Sequence, residues 1–196
     1  MPETKEKKYK WRREGYRENT KGLLMLNTGD GKGKTTAAIG TLVRAAGRGM
    51  HCCMIQFMKS KNDRYGEHES LEQLGVEVHT MGDGFTWDTN DKSQDIKTSE
   101  ETWALCVEKL RSEDYDLLVF DELLYVISYG FLNVDDVLAE IVDVRKKQPN
   151  LHLILSGRNV DNALEKLIEA ADLVTEMKEI KHPFNAGIYA QQGIEF

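Results

Sequence analysis

The run Leu23-Leu24-Met25-Leu26 passes through Asn27 into Thr28-Gly29-Asp30-Gly31-Lys32-Gly33-Lys34-Thr35-Thr36, and few folds accommodate such a junction. Beyond it, Ala37, Ala38, Ile39, Leu42, Val43, Ala45 and Ala46 recur at helical density, with Gly47 and Gly49 as a stop. A buried strand, a glycine-rich turn and a helix in that order describe a phosphate-binding unit. The glycines let backbone N–H groups curl round phosphate oxygens, and the Lys34 ammonium reaches the outer phosphates. The Thr35 hydroxyl can ligate Mg²⁺ where the helix dipole favours anions. The general pattern opens with a glycine where this chain has Thr28, so Gly29, Gly31 and Gly33 supply the flexibility of a variant cradle. An ordinary glycine turn is the plain alternative, and the Lys-Thr-Thr ending weighs against it.

Along the chain, apolar runs at 23–28, 52–57, 76–81, 116–120, 151–156 and 173–177 alternate with helical patterns near 35–47, 67–74, 98–112, 134–147 and 160–170. That alternation predicts an α/β fold of the P-loop, RecA-like kind. Its sheet is mostly parallel, with helices on both faces and ligands at the carboxyl ends of the strands. A chain of 196 residues suits a single core, read here as a basic arm over 1–21 and one nucleotide-binding domain over 22–196. Two long connections, 58–67 and 82–97, fall at the ligand edge, where long loops tend to be functional.

Charge narrows the function. A net −7 and a pI near 5.3 argue against a general nucleic-acid binder, which needs a basic surface to displace counterions. The arm is the exception. It carries Lys5, Lys7, Lys8, Lys10, Arg12, Arg13, Arg17 and Lys21 against four glutamates, with Tyr9, Trp11 and Tyr16 among them. Such a segment either stays solvated or orders over an anionic ligand or a partner subunit. It lacks the apolar run of a signal peptide, and no stretch approaches a membrane span. Cys52, Cys53 and Cys106 have no metal-ligand spacing and read as buried thiols of a cytoplasmic protein.

A second landmark is Leu117-Leu118-Val119-Phe120-Asp121-Glu122, a strand ending in two carboxylates. A strand beside the phosphate-loop strand would deliver Asp121 and Glu122 to a Mg²⁺ held by phosphates. Ser156-Gly157-Arg158-Asn159 ends another strand and offers Arg158 as a phosphate or carboxylate clamp, or as a surface ion pair. In the glycine-bounded segment Gly82-Asp83-Gly84-Phe85-Thr86-Trp87-Asp88, two large aromatics either anchor the loop or form an apolar wall for a flat ligand. These residues alone leave open a phosphotransferase or ATPase and a nucleotide-gated binding module.

Taken in order, the phosphate loop through Ala38, Gly84-Phe85-Thr86-Trp87, Phe120-Asp121-Glu122-Leu123 with Tyr125, Lys181-His182-Pro183-Phe184-Asn185-Ala186-Gly187 and Gln192-Gly193-Ile194 resemble the ATP:corrinoid adenosyltransferases of the cobalamin-synthesis type. The resemblance runs from about residue 20 to the end. It implies that cob(I)alamin or a related corrinoid attacks the 5′ carbon of ATP and expels triphosphate. By the same resemblance Thr28, Gly29, Asp30, Gly31, Lys32, Gly33, Lys34, Thr35 and Thr36 bind ATP, with Arg158 joining them from its strand end, and Thr35, Glu122 and, in an outer layer, Asp121 attend a Mg²⁺ or Mn²⁺ ion. Phe85 and Trp87 would expel the lower cobalt ligand before reduction, and His182 and Phe184 would lie at the corrinoid. Lys34, Phe85 and Trp87 are thus the catalytic candidates, a flavoprotein the expected electron donor and a homodimer the expected assembly. No nucleic acid or membrane partner is implied. Asp30 stands where that family leads one to expect a neutral Asn, adding negative charge beside the nucleotide.

Overall fold

Alternation along the strands divides the core in two. Leu24 and Leu26, Cys53 and Ile55, Leu118 and Phe120, Leu153 and Leu155 point to one face, and Cys52, Met54, Leu117, Val119 and Ile154 to the other. The protein is described here from a computed structural model, in residues 20–60, 62–82, 92–160 and 162–195. The strands are β1 (Leu24–Thr28), β2 (Cys52–Ser60), β3 (Glu77–Gly82), β4 (Leu117–Asp121), β5 (His152–Ser156) and β6 (Leu173–Glu176). They form one six-stranded sheet in the order β3-β2-β4-β5-β1-β6, and every pair is parallel.

Register aligns the apolar rows across the sheet. Cys53 lies beside Leu118, Leu118 beside Leu153 and Leu153 beside Leu24. Over one face lie α3 (Lys92–Arg111), α4 (Leu123–Ser128), α5 (Val134–Lys147) and α6 (Glu165–Ala170), which contribute Cys106, Leu110, Val137, Ile141, Val144 and Leu167 to the core. Over the other lie α1 (Lys34–Ala46) and α2 (Gly66–Gln73), which contribute Ala38, Leu42, Ala45 and Leu71. Adjacent Cys52 and Cys53 fall in opposite clusters, as a pleated strand requires. Burial pushes their thiols up, to about 11 and about 12, and leaves them unreactive.

Each of the six strand runs is a strand in the fold, within a residue at its start. Three differences have physical causes. The third long helix starts at Lys92, inside the segment read as a loop over 82–97, because Lys92, Ser93, Gln94 and Asp95 carry no apolar period. Helix α4 was not anticipated: from Leu123 to Ile127 every residue is buried, so no polar face marks it as a helix. The carboxylate strand β4 does not neighbour β1, because β5 lies between them. The amino-terminal arm lies outside the described residues except for its last two, of which Lys21 pairs with Asp172 at the start of β6.

Candidate functional site

At the carboxyl ends of the strands the inward apolar rows give way to polar residues. Asn27, Asp121 and Ser156 end the α1 side of β1, β4 and β5, and Gln56, midway along the longer β2, joins them, registered against Asp121 as Asn27 is against Ser156. The amino terminus of α1 arrives over this row. Gly33, in the left-handed region at φ 111°, precedes it, and no side chain caps the helix, so its first turn faces the cavity as an anion-attracting end.

Asp121 is 1% exposed and is the anchor of the row. Its Oδ1 accepts from Thr35 Oγ at 2.9 Å and from Ser156 Oγ at 2.5 Å, and its Oδ2 accepts from Gln56 Nε2 at 3.1 Å. Three donors compensate the burial of this carboxylate. Ser156, on the intervening β5, steadies the carboxylate end of β4 from the side: its hydroxyl also accepts from Glu122 N–H at 3.0 Å.

Glu122 follows in the left-handed region, at φ 62°, an uncommon conformation for a residue with a Cβ. Burial, and then the Asp121 carboxylate next to it, push its carboxyl up to about 7. Lys34 and Arg158 pull the other way. A carboxylate so placed gains from any cation brought to it. Gly157 beside it is at φ 142°, where a Cβ would lie 2.5 Å from Tyr125 N; only glycine lets the end of β5 pass α4 and turn Arg158 toward the site.

The phosphate loop is backed by the chain that follows β6. Met177 N donates to Thr28 O and Gly31 N to Met177 O, both at 2.7 Å, and a Cβ on Gly29 or Gly31 would strike Met177 or Lys178 backbone at 2.4 and 2.7 Å. These two glycines therefore serve close packing as well as loop curvature, and the Gly31 amide is committed to protein. Lys34 donates to the carbonyls of Gly29 at 2.8 Å and Gly31 at 2.9 Å. Burial lowers its pKa, and Glu122 opposes that. Thr28 is buried, with its hydroxyl unpaired among the described residues.

A cavity of about 1200 Å³ opens over these groups. Asp30, Gly31, Lys32, Gly33, Lys34, Thr35, Thr36, Glu122, Arg158 and His182 line it, joined by Met58, Lys59, Glu67, Ser70, Tyr125 and Ile194. It exceeds the roughly 300–1,000 Å³ of ordinary small-molecule pockets. Thr28, Gly29 and Asp121 lie behind its wall. Phe184 is 69% exposed and does not line it. His182 lines it while its Nδ1 accepts from Phe184 N–H at 3.1 Å, capping the 3-10 turn Pro183–Ala186. Phe85 and Trp87 lie outside the described residues. Lys59, paired with Glu67 and 4.2 Å above the Tyr65 ring, is a cavity cation that the sequence reading gave no role, and it gave none to the uncharged Gln56 and Ser156. A polar residue ending the inward row of each central strand was the signal that would have found the last two.

At the other end of β2 and β3, Cys53, Glu77 and His79 bring ligand atoms within 4.8 Å of one another. There Glu77 is already neutralised. Burial would raise its carboxyl, but hydrogen bonds from Lys109, Tyr115 and His79 outweigh this and hold it down at about 2. No described helix is long and apolar enough to cross a membrane.

Residues 20–196 match the family model of the ATP:corrinoid adenosyltransferases BtuR/CobO/CobP. The chain is 42% identical over 180 residues to a corrinoid adenosyltransferase of a Sinorhizobium species, covering 90% of this chain and 81% of that one. It is 40% identical to the corrinoid adenosyltransferase of Pseudomonas aeruginosa, covering 90% and 84%, and 36% identical to that of Escherichia coli K12, covering 91% and 88%. Among solved structures, the flagellar accessory protein FlaH of Methanocaldococcus jannaschii matches with a TM-score of 0.53 over 79% of this chain and 70% of that one. At 10% identity this is a likeness of fold alone.

Proposed function

We infer the working of the cavity from a premise the comparisons supply: this chain belongs to the ATP:corrinoid adenosyltransferase family, and its reaction transfers the 5′-deoxyadenosyl group of ATP to a corrinoid with release of triphosphate. The observation that carries the site-level reading is the meeting of Lys34, the uncapped start of α1 and the Thr35–Asp121 pair in a cavity larger than a nucleotide requires.

Triphosphate gains charge as it leaves, so the groups that speed the reaction are those that meet that charge. Lys34 trades its two carbonyl partners for phosphate oxygens, and the amides of the first turn of α1 supply fixed dipoles. Arg158 and Lys32 face the same space. Lys32 is engaged by Glu195 and exchanges that carboxylate for phosphate. The oxygen donor set of Thr35 and Glu122 fits a hard divalent cation, Mg²⁺ or Mn²⁺. Thr35 spends its proton on Asp121 and keeps its lone pairs, while Asp121, saturated by three donors, stays in the outer layer. Such an ion supplies further charge neutralisation on the leaving group. Asp30 lies at the mouth of the loop and tempers its positive potential.

The corrinoid occupies the remaining volume on the side of Tyr125 and His182, with Phe184 near the rim. Phe85 and Trp87 act on its lower face, excluding the axial ligand so that cobalt accepts an electron from a flavoprotein donor. The cobalt electron pair is the nucleophile, so no protein group serves as a base. The apolar Ile180, Ile188 and Tyr189, all exposed on the carboxy-terminal segment, support a homodimer. Three free cysteines support a reducing cytoplasm.

Anaerobic incubation with ATP, Mg²⁺ and chemically reduced cobalamin tests the reading. The adenosylcobalamin spectrum and stoichiometric inorganic triphosphate are expected. A flat trace, or phosphate and ADP instead, refutes it.

A further inference from the structure

His68 on α2 is 6% exposed, and nothing in the adenosyl transfer calls for an imidazole there. Its Nε2 lies 2.6 Å from Gln56 Oε1. That oxygen belongs to an amide whose nitrogen donates to Asp121 Oδ2 at 3.1 Å, since a carboxylate accepts and does not donate. Gln56 is itself fully buried, so flipping the amide would set its oxygen against the Asp121 carboxylate with no water to separate them. Oε1 therefore requires a proton on His68 Nε2. The other ring nitrogen faces the backbone N–H of Tyr65 at 3.5 Å, a group that only donates, so Nδ1 carries the lone pair. Two independent contacts select the same neutral tautomer.

We propose that His68, as the Nε2–H tautomer, is a positioning residue for the transfer: it fixes the Gln56 amide, which holds Asp121 turned toward Thr35. This rests on the reading of Thr35 and Asp121 as the nucleotide corner. The chain has a further consequence, since α2 also lines the cavity through Gly66, Glu67 and Ser70. That wall and the corner are joined through His68, Gln56 and Asp121 by contacts of 2.6, 3.1 and 2.9 Å.

Acid should break the chain, because a proton on Nδ1 would confront the Tyr65 N–H. Burial, then Lys59 and Arg64, hold the ring neutral against the pull of Glu72; from β3 the Thr80 hydroxyl approaches it, 3.4 Å from Nε2.

The test uses full-length protein. Nitrogen-15 NMR of the wild type without substrates should report His68 as neutral, with the proton on Nε2, at pH 7.5. The reverse tautomer or a cationic ring overturns the proposal, whatever any variant does. Among variants, His68→Leu should lower kcat by about tenfold or more, the lower end of what outer-layer partners of a ligand contribute, and should weaken ATP binding measured without corrinoid. His68→Gln keeps an amide donor toward Gln56, so it should recover most of that loss and flatten the acid limb of the pH profile. Gln56→Leu should match His68→Leu, with no further loss in the double variant. Equal losses in the Leu and Gln variants, or additive losses in the double variant, overturn the proposal. Thr35→Ala separates the two levels: if it leaves ATP binding and turnover intact, the reading of the corner has failed, whereas a crippled Thr35→Ala beside a fully active His68→Leu rejects the role of His68 alone.

Discussion

Replacing Glu122 by Gln should stabilise the metal-free protein, and the gain should depend on pH in a calculable way. Burial and the adjacent Asp121 raise this carboxyl from 4.5 to about 7 in the folded chain. Below pH 4.5 both folded and unfolded chains hold the proton, and the site contributes no difference. Between 4.5 and 7 the folded chain keeps a proton that the unfolded chain has released, so stability falls as pH rises through that window. Above 7 both are ionised and the loss is complete. At about 1.4 kcal/mol per pH unit the window amounts to about 3 kcal/mol. Gln mimics the protonated acid at every pH. In urea unfolding with a chelator present, Glu122→Gln and wild type should differ by a few tenths of a kcal/mol near pH 4.5 and by about 3 kcal/mol at pH 8. Titrating groups remote from Glu122 cancel in the difference. Mg²⁺ with ATP at pH 8 should recover the stability of the wild type but not of the variant, which should also lose turnover. A difference between the two proteins that is the same at both pH values refutes the account, because it would mean that lost hydration and the neighbouring Asp121 do not raise the Glu122 carboxyl.

Lys34→Ala should cut turnover by about two orders of magnitude or more, as expected for a group that meets charge in the transition state, and calorimetry should show weaker ATP binding; near wild-type rates would sink that role. Gly157→Ala should cost about 2 kcal/mol or more, since its Cβ would meet Tyr125 N at 2.5 Å and its φ of 142° suits only glycine, and thermal unfolding together with the KM for ATP would report it. Phe85→Ala or Trp87→Ala should cripple the reaction that starts from cob(II)alamin and a flavoprotein. The same variants should keep far more activity with cob(I)alamin supplied already reduced, and equal losses in both assays would reassign the pair to simple packing.

The strands were legible because their burial is local in sequence. A parallel sheet covered on both faces needs continuous apolar runs, and 52–57 or 116–120 are such runs whatever surrounds them. The phosphate loop was legible for a related reason, since Gly33-Lys34-Thr35 concentrates its chemistry within one turn. Helix α4 shows the limit of that reading: with Leu123 through Ile127 all buried, the helical period is invisible. His68 shows another, since a lone histidine within Gly66–Gln73 carries no pattern that would join it to Gln56.

By itself, then, the sequence determined the kind of elements, their order, the family and the residues with intrinsic chemistry: Lys34, Thr35, Asp121, Glu122 and Arg158. Tertiary structure decided which of them meet. The strand order put β5 between the loop strand and the carboxylate strand, so Ser156 came to hold Asp121 while Asp121 reached Thr35 directly. The same packing turned Gly29 and Gly31 into contacts for Met177 and Lys178, more than 140 residues away along the chain. It also raised the Glu122 carboxyl, because the pKa of a group follows the water removed from it and the charges brought beside it, and neither is written at its own position.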